Sequence, residues 1–227
     1  MPPPATPKRI NARKRELTRT ALLDAAMAVF ARVGPDAVTV DDIIQQAGVS
    51  HGTFYNYFDS PEALLAALAA KLSDELLAQI GAVRSLPDPA DRMACSIRSF
   101  IHKAAADPTW GWVIVRIALV AAPLGRTMRA FLTADLEDGR AKRRFRVPSV
   151  QVAADITLGS AMMGMRSVLR GEAGKGHAEA IAGGILRALG TDDADSLVRL
   201  PLDADALAAR ARRPRKRAAA RRGIIPR

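Results

Sequence analysis

Four of the ten aromatic residues in this 227-residue chain fall within five positions, as Phe54, Tyr55, Tyr57 and Phe58. A small helical unit needs large side chains to bury enough area. That accounts for Phe54 and Phe58, but not for the two phenols beside them. Phenol hydroxyls on an outer face are good partners for phosphate oxygens. The window from Thr39 to Leu65 reads as two short helices joined by a tight turn. Ile43 and Ala47 face inward on the first, Gly48 permits a left-handed turn without a Cβ penalty, and Val49 plugs the corner. The second helix presents Ser50, His51, Gly52, Thr53, Tyr55 and Asn56 outward. This is a helix-turn-helix arrangement; a plain helical hairpin is the alternative that the residues alone leave open.

Helices must position that window, because apolar residues recur at helical spacing nearly everywhere and no stretch alternates at period two. A first helix is predicted over 16–33, with Leu22, Ala26, Val29 and Val33 on one stripe and Gly34-Pro35 stopping it. Thr39 caps a helix over 40–47, and Ser50 one over 51–57. Ser60-Pro61 opens a long helix to about 81. Further helices are predicted over 90–106, 108–122, 124–143, 150–171 and 177–189, with a short one at 192–200. Fold class is therefore all-α. The expected domains are a basic flexible arm (1–15), a helix-turn-helix unit (16–60), a larger helical part (61–200, opened by the helix 61–81) and a basic tail (201–227).

Charge divides along the same lines. The net +11 resides at the ends: residues 1–15 hold Lys8, Arg9, Arg13, Lys14 and Arg15 with no acid, and residues 206–227 hold nine Arg/Lys with none. Residues 16–60 are net −4. An acidic unit of this kind that bound DNA would need positive charge from elsewhere, since phosphate neutralisation carries much of the affinity. The N-terminal arm is placed to supply it, on the backbone or in the minor groove. Other chemistries find little support. One cysteine, Cys95, allows no internal disulfide or cysteine-based zinc site. His51, His102 and His177 are far apart, which argues against a metal cluster. No nucleophile–base pair or phosphate loop is visible, so no enzyme, cofactor or metal is expected. The longest apolar run, 110–123, is broken by Arg116 and too short for a bilayer.

The residues Phe30, Gly34, Thr39, Ile43, Ala47-Gly48-Val49-Ser50, Gly52-Thr53-Phe54-Tyr55, Tyr57-Phe58 and Glu62-Ala63-Leu64 stand at fixed spacing. On them the chain resembles the TetR/AcrR family of bacterial transcriptional regulators, most closely over 16–66. The resemblance implies a homodimer on a near-palindromic operator, with the recognition helix 50–57 in the major groove and 61–200 as the helical regulatory and dimerisation domain, joined through the linking helix 61–81. It implies phosphate contacts at Thr39, Ser50, Thr53, Tyr55 and Tyr57, and base edges against His51, Gly52 and Asn56. Asparagine can pair bidentately with adenine, and histidine can address guanine or a phosphate. Pro61 departs from the pattern: many members carry there a lysine that contacts phosphate.

Beyond the window, the helix at 108–122 is apolar on nearly all faces and expected to be buried. Its Arg116 needs an acid, Asp135 or Asp155, or a ligand anion. Phe100, His102, Trp110, Trp112, Arg116, Met162, Met163 and Met165 form a candidate adaptable apolar pocket; for each singly, ordinary core packing is the alternative. Gly159, Ala161, Gly164, Ala180, Gly183 and Gly184 allow close helix approach, and the resemblance implies that these two helices form a four-helix dimer interface. Arg140, Lys142, Arg143, Arg144 and Arg146 read as a solvated loop. The resulting expectation is a cytoplasmic, nucleoid-associated, ligand-responsive repressor with a largely apolar small-molecule effector and no membrane contact. A sequence-nonspecific DNA-compacting protein using its basic ends is the alternative.

Overall fold

The computed structural model describes residues 7–33, 37–118 and 122–212. Among them are eleven α-helices and no strand. α1 (Pro7–Val33), α2 (Val40–Ala47) and α3 (His51–Tyr55) form the first unit, and α4 (Pro61–Arg84) leads away from it. α5 (Pro89–Ala106), α6 (Pro108–Ile117), α7 (Ala122–Ala141), α8 (Val150–Leu169), α9 (His177–Ala188), α10 (Ala194–Leu197) and α11 (Ala204–Ala211) follow. α5 runs through the middle of the larger unit and touches α4, α6, α7, α8 and α9. One apolar core continues from Leu22, Phe30, Ile43 and Phe54 through Leu68 and Ile114 to Leu186.

Local chemistry sets most boundaries as expected. Thr39, Ser50, Ser60, Asp107 and Ser149 each accept from a backbone amide in the first turn of α2, α3, α4, α6 and α8. Such caps satisfy amides that have no partner inside the helix. Gly48 ends α2 at φ +66°, the left-handed conformation that glycine adopts without strain.

Several expectations are corrected. The first helix begins at Pro7 rather than 16, so Lys8 to Arg15 ride on helical backbone, not on an irregular arm. Arg, Lys, Ala and Asn residues there add turns cheaply to a helix already nucleated. Arg13, Lys14 and Arg15 are exposed; the side chains of Lys8 and Arg9, and the Gly34-Pro35 stop, lie outside the described residues. Val33, expected on the buried stripe, is exposed. α3 stops at Tyr55, with Asn56 as its cap.

The expected tail also holds structure. Asp203 caps α11 by accepting from the Ala206 amide at 2.8 Å. Leu207 packs with Val83, Leu86 and Cys95 in a small second core. Arg210 donates to both carboxylate oxygens of buried Asp91, at 2.7 and 3.0 Å. Burial pushes the Cys95 thiol up to about 11, so it stays protonated at neutral pH. The rest of the expected tail, 213–227, lies outside the described residues.

The cluster at 140–146 is not a merely solvated loop. Arg144 bonds Asp88 at 3.0 Å and Asp193 at 2.9 Å, and Lys142 donates to the Pro87 carbonyl at 3.0 Å. Phe145 is buried flat against Gly139, where any Cβ would collide with its ring. The segment fastens the α4–α5 turn to the start of α10.

Candidate DNA-reading face and effector cavity

The reading face is built outward from Phe54. Its ring is 0 % exposed, sits edge-on to Tyr55 at 5.2 Å and lies 6.0 Å from Phe58. Anchoring there turns Ser50, His51, Gly52, Tyr55 and Asn56 to the outside. Tyr55 is 52 % exposed. Thr53 and Tyr57 are only half-buried. Arg15 lies over the Tyr57 ring at 5.9 Å and Arg19 over Phe58 at 5.5 Å. Two cations from α1 thus stand against the aromatic cluster, while Asp41 and Asp42 crowd the start of α2.

Hydrogen bonds hold this face in shape. The Ser50 hydroxyl accepts from the Thr53 amide at 3.2 Å and pairs with the Thr53 hydroxyl at 3.0 Å. The Thr39 hydroxyl accepts from the Asp42 amide at 3.2 Å, while the Thr39 amide donates back to the Asp42 carboxylate at 3.0 Å. Those bonds from Thr39, the hydroxyl's above all, hold the Asp42 carboxyl below its ordinary value. His51 Nε2 lies 2.7 Å from Asp41 Oδ1. Asp41 therefore orients the exposed imidazole from the neighbouring helix. Residue types alone do not point to Asp41 as a partner; the only signal is an acid ten positions before a histidine, across the turn.

The second site is an apolar cavity, open at its mouth, between α4, α5, α6, α7 and α8. Of the eight expected pocket residues, Phe100, Trp110, Met162 and Met165 line it. The other four do not. His102 is on the outer side of α5 and bonds Glu179 at 3.0 Å. Burial would raise the Glu179 carboxyl, but hydrogen bonds from His102 and Arg98 outweigh it and the net shift is downward. Met163 is 55 % exposed. Trp112 lies under the Arg116 guanidinium at 4.8 Å. Arg116 reaches neither Asp135 nor Asp155: it donates to the Phe30 carbonyl at 3.2 Å and to that of Ala31. Those are last-turn carbonyls of α1, at the helix end that carries negative dipole, so a guanidinium suits them. Asp155 pairs instead with Arg129 at 2.8 Å, and Asp135 with Arg92 at 2.7 Å.

Much of the lining was not foreseen from sequence, notably Leu76 and Ile80 on α4, Phe131 on α7 and Thr157 on α8. Of the six small residues expected at an interface, Gly159, Ala180 and Gly184 are exposed on α8 and α9, beside exposed Val152, Ile156 and Met163. Gly164 and Gly183 are buried inside the subunit, and Ala161 lines the cavity. A Cβ on Gly164 would stand 3.1 Å from Ile181 and 3.2 Å from Ile101, so that glycine serves internal packing.

Comparison with known proteins fits this geometry. The family described as bacterial regulatory proteins, tetR family, matches residues 22–68, and the tetracyclin repressor-like C-terminal domain matches residues 88–198. The chain belongs to the TetR family. Among its TetR-family relatives, an uncharacterised HTH-type transcriptional regulator of Mycobacterium tuberculosis is 33 % identical over 103 residues, 44 % of this chain and 50 % of that one. The HTH-type transcriptional regulator BetI of Rhizobium meliloti is 39 % identical over 84 residues, 35 % of this chain and 40 % of that one. The chain thus spans half or less of the length of these curated relatives. The crystal structure of RolR in complex with resorcinol is 28 % identical, covers 85 % of this chain and 98 % of RolR, and superposes with a TM-score of 0.62. These relatives are transcriptional regulators, which speaks against the DNA-compacting alternative. Among the described residues, no helix is long and apolar enough to cross a membrane.

Proposed function

We propose that this TetR-family chain is a ligand-responsive transcriptional repressor that binds a near-palindromic operator as a homodimer. The observation that carries the reading is one continuous core joining an outward polar helix, α3, to an apolar cavity. His51 and Asn56 read base edges, and Thr39, Ser50, Thr53, Tyr55 and Tyr57 hold phosphates. The exposed stripe of Val152, Ile156, Gly159, Met163, Ala180 and Gly184 pairs with the same stripe of a second copy. A small, largely apolar effector enters the cavity and shifts α4 and α6, changing the separation of the two reading helices. Half-sites must stand about one helical turn apart for both to dock. Such a protein works on the nucleoid, in the cytoplasm.

DNA fragments selected by the protein from its own genome test this. A shared palindrome that survives competition with excess unrelated DNA is the expected outcome; equal retention of any fragment contradicts it. The basic face of α1 supplies the charge that the acidic reading unit lacks. Changing Arg13, Lys14 and Arg15 together to Gln should flatten the salt dependence of operator binding, by about 0.9 in log–log slope for each phosphate left without its cation. An unchanged slope in a filter-binding titration removes α1 from the interface.

Arg116 links the two sites, because it is on the cavity-lining helix α6 and closes the end of α1. Arg116→Met keeps the apolar stem and removes the donors. The expected results are a stability loss of about 1.5–3 kcal/mol, the worth of a hydrogen bond to a charged group, and a weakened response of operator binding to effector. Thermal unfolding and operator release measure the two. Wild-type stability together with wild-type release would show that the link is idle.

A further inference from the structure

We propose that the cavity selects a small, uncharged aromatic molecule carrying a hydroxyl group, with that oxygen held between the Trp110 indole N–H and the Thr157 hydroxyl. This rests on the effector-controlled reading above and names the chemistry of its ligand. Trp110 is 2 % and Thr157 3 % exposed, and both line the cavity. Trp110 Nε1 and Thr157 Oγ1 are two of the four buried side-chain polar atoms without a hydrogen-bond partner among the described residues. A buried polar group left unpaired costs about 1–3 kcal/mol. Two such groups, on residues that line one cavity from different helices, are the natural partners for a polar atom of a ligand. Mid-helix threonine commonly bonds back to the carbonyl four residues earlier; Thr157 does not, and its hydroxyl has no protein partner among the described residues.

The donor types define the ligand atom. An indole N–H only donates, whereas a hydroxyl donates and accepts. A ligand hydroxyl satisfies both at once: its oxygen accepts from Trp110 and its proton goes to Thr157. The remaining wall asks for a ring. Phe100 stacks with Trp110 at 16° between planes and 6.4 Å between centroids. Met162 and Met165 bring thioethers to the same cavity, and sulfur packs well against ring edges. Charge excludes an anion. The ionisable groups of the lining are Arg84 and Asp135. Asp135 lies 2.7 Å from Arg92 and 3.9 Å from Arg84, and Arg92 also pairs with Asp138 at 2.7 Å. With Lys142 also on Asp138 at 2.9 Å, three cations face two carboxylates, but only Arg84 and Asp135 line the cavity, so the wall itself carries no net charge to offset the desolvation of a ligand carboxylate or phosphate.

Calorimetry on the full chain with phenol, toluene and benzoate tests the inference. Phenol and toluene have the same shape and differ by hydroxyl against methyl; benzoate adds the charge. Phenol should bind about tenfold or more tighter than toluene, and benzoate should give no heat. Thr157→Val, which keeps the volume, should erase the preference for phenol, and Trp110→Phe should do the same independently of any packing fault in the first variant. Equal affinity for phenol and toluene, preference for benzoate, no binding of phenol, or an undiminished preference in both variants overturns the inference. Operator release is read separately on the selected DNA. If phenol binds without releasing the operator, the ligand class stands and the effector-controlled reading falls. If toluene or benzoate releases it and phenol does not, the reading stands and the ligand class falls.

Discussion

Truncating Phe54 to alanine is expected to abolish operator binding while leaving the far half of the molecule folded. The ring is wholly buried and packs on Tyr55 and Phe58. Removing a buried phenyl group costs about 3–5 kcal/mol. The unit that bears this loss is small: α3 rests on α2, and α2 on α1. A unit of that size has little stability to spare. α2 and α3 should therefore unfold locally and take His51 and Asn56 out of register. Both tryptophans are on α6, which packs on α1 but makes no extensive contact with α2 or α3, so their fluorescence reports on the larger unit and α1 rather than on the reading helices. Loss of operator binding with an unchanged tryptophan unfolding curve is the expected pair of results. Wild-type operator affinity would mean that the aromatic anchor does not set the reading face.

Arg92→Met should destabilise the larger unit by about 3 kcal/mol, the lower end of the cost of breaking a buried pair, because half-buried Asp135 and Asp138 are left with only Arg84 at 3.9 Å and Lys142 at 2.9 Å. Arg92 donates to Asp135 and Asp138, each at 2.7 Å, and to the Leu86 carbonyl at 2.8 Å. Lysine cannot reproduce that three-way fork, so Arg92→Lys should recover only part of the loss. The pH dependence follows from Asp138. Burial would raise its carboxyl, but the hydrogen bonds from Arg92 and Lys142 win and hold it below its ordinary value of 3.8. A depressed folded-state value gives stability that is present above the ordinary value and is lost as pH falls through the folded one. Wild type and Arg92→Met should differ most near neutrality, and the gap should narrow below about pH 4. Denaturant melts at pH 7 and pH 3 measure it; a gap that is constant with pH contradicts the assignment.

What the sequence showed, and what it hid, follows the range of the interactions. The turn around Gly48, the Ser50 and Ser60 caps and the inward set of Phe54 and Phe58 depend on neighbours a few residues away, and spacing reveals them. The family resemblance rested on that same local stretch. Arg116 was visible as a cation needing a partner, but its partners are main-chain carbonyls 85 and 86 residues earlier. Main-chain carbonyls leave no trace in residue type. Arg210 and Asp91 are 119 residues apart, and an alanine–arginine stretch reads equally well as tail or as helix. The cavity was half legible because aromatic and methionine residues advertise themselves. Leu76 and Ile80 look like any core leucine and isoleucine, and Thr157 looks like a solvated helix position until its surroundings are known.

The small core beneath α11 has a mechanical consequence. Val83 belongs to the last turn of α4 and is clasped there by Leu86, Cys95 and Leu207, while Lys71 ties the middle of the helix to Asp24 at 2.8 Å. The 24 residues of α4 span about 36 Å at about 1.5 Å each. A helix hinged at its far end is a lever: a tilt of about 5° carries Pro61 roughly 3 Å over that length. That travel is close to the spacing of successive base pairs, about 3.4 Å. The clasp at Leu207 then acts as a fulcrum, and because the Val83 it holds also lines the cavity, loosening it would slacken the stroke at the cavity wall while leaving the reading face alone.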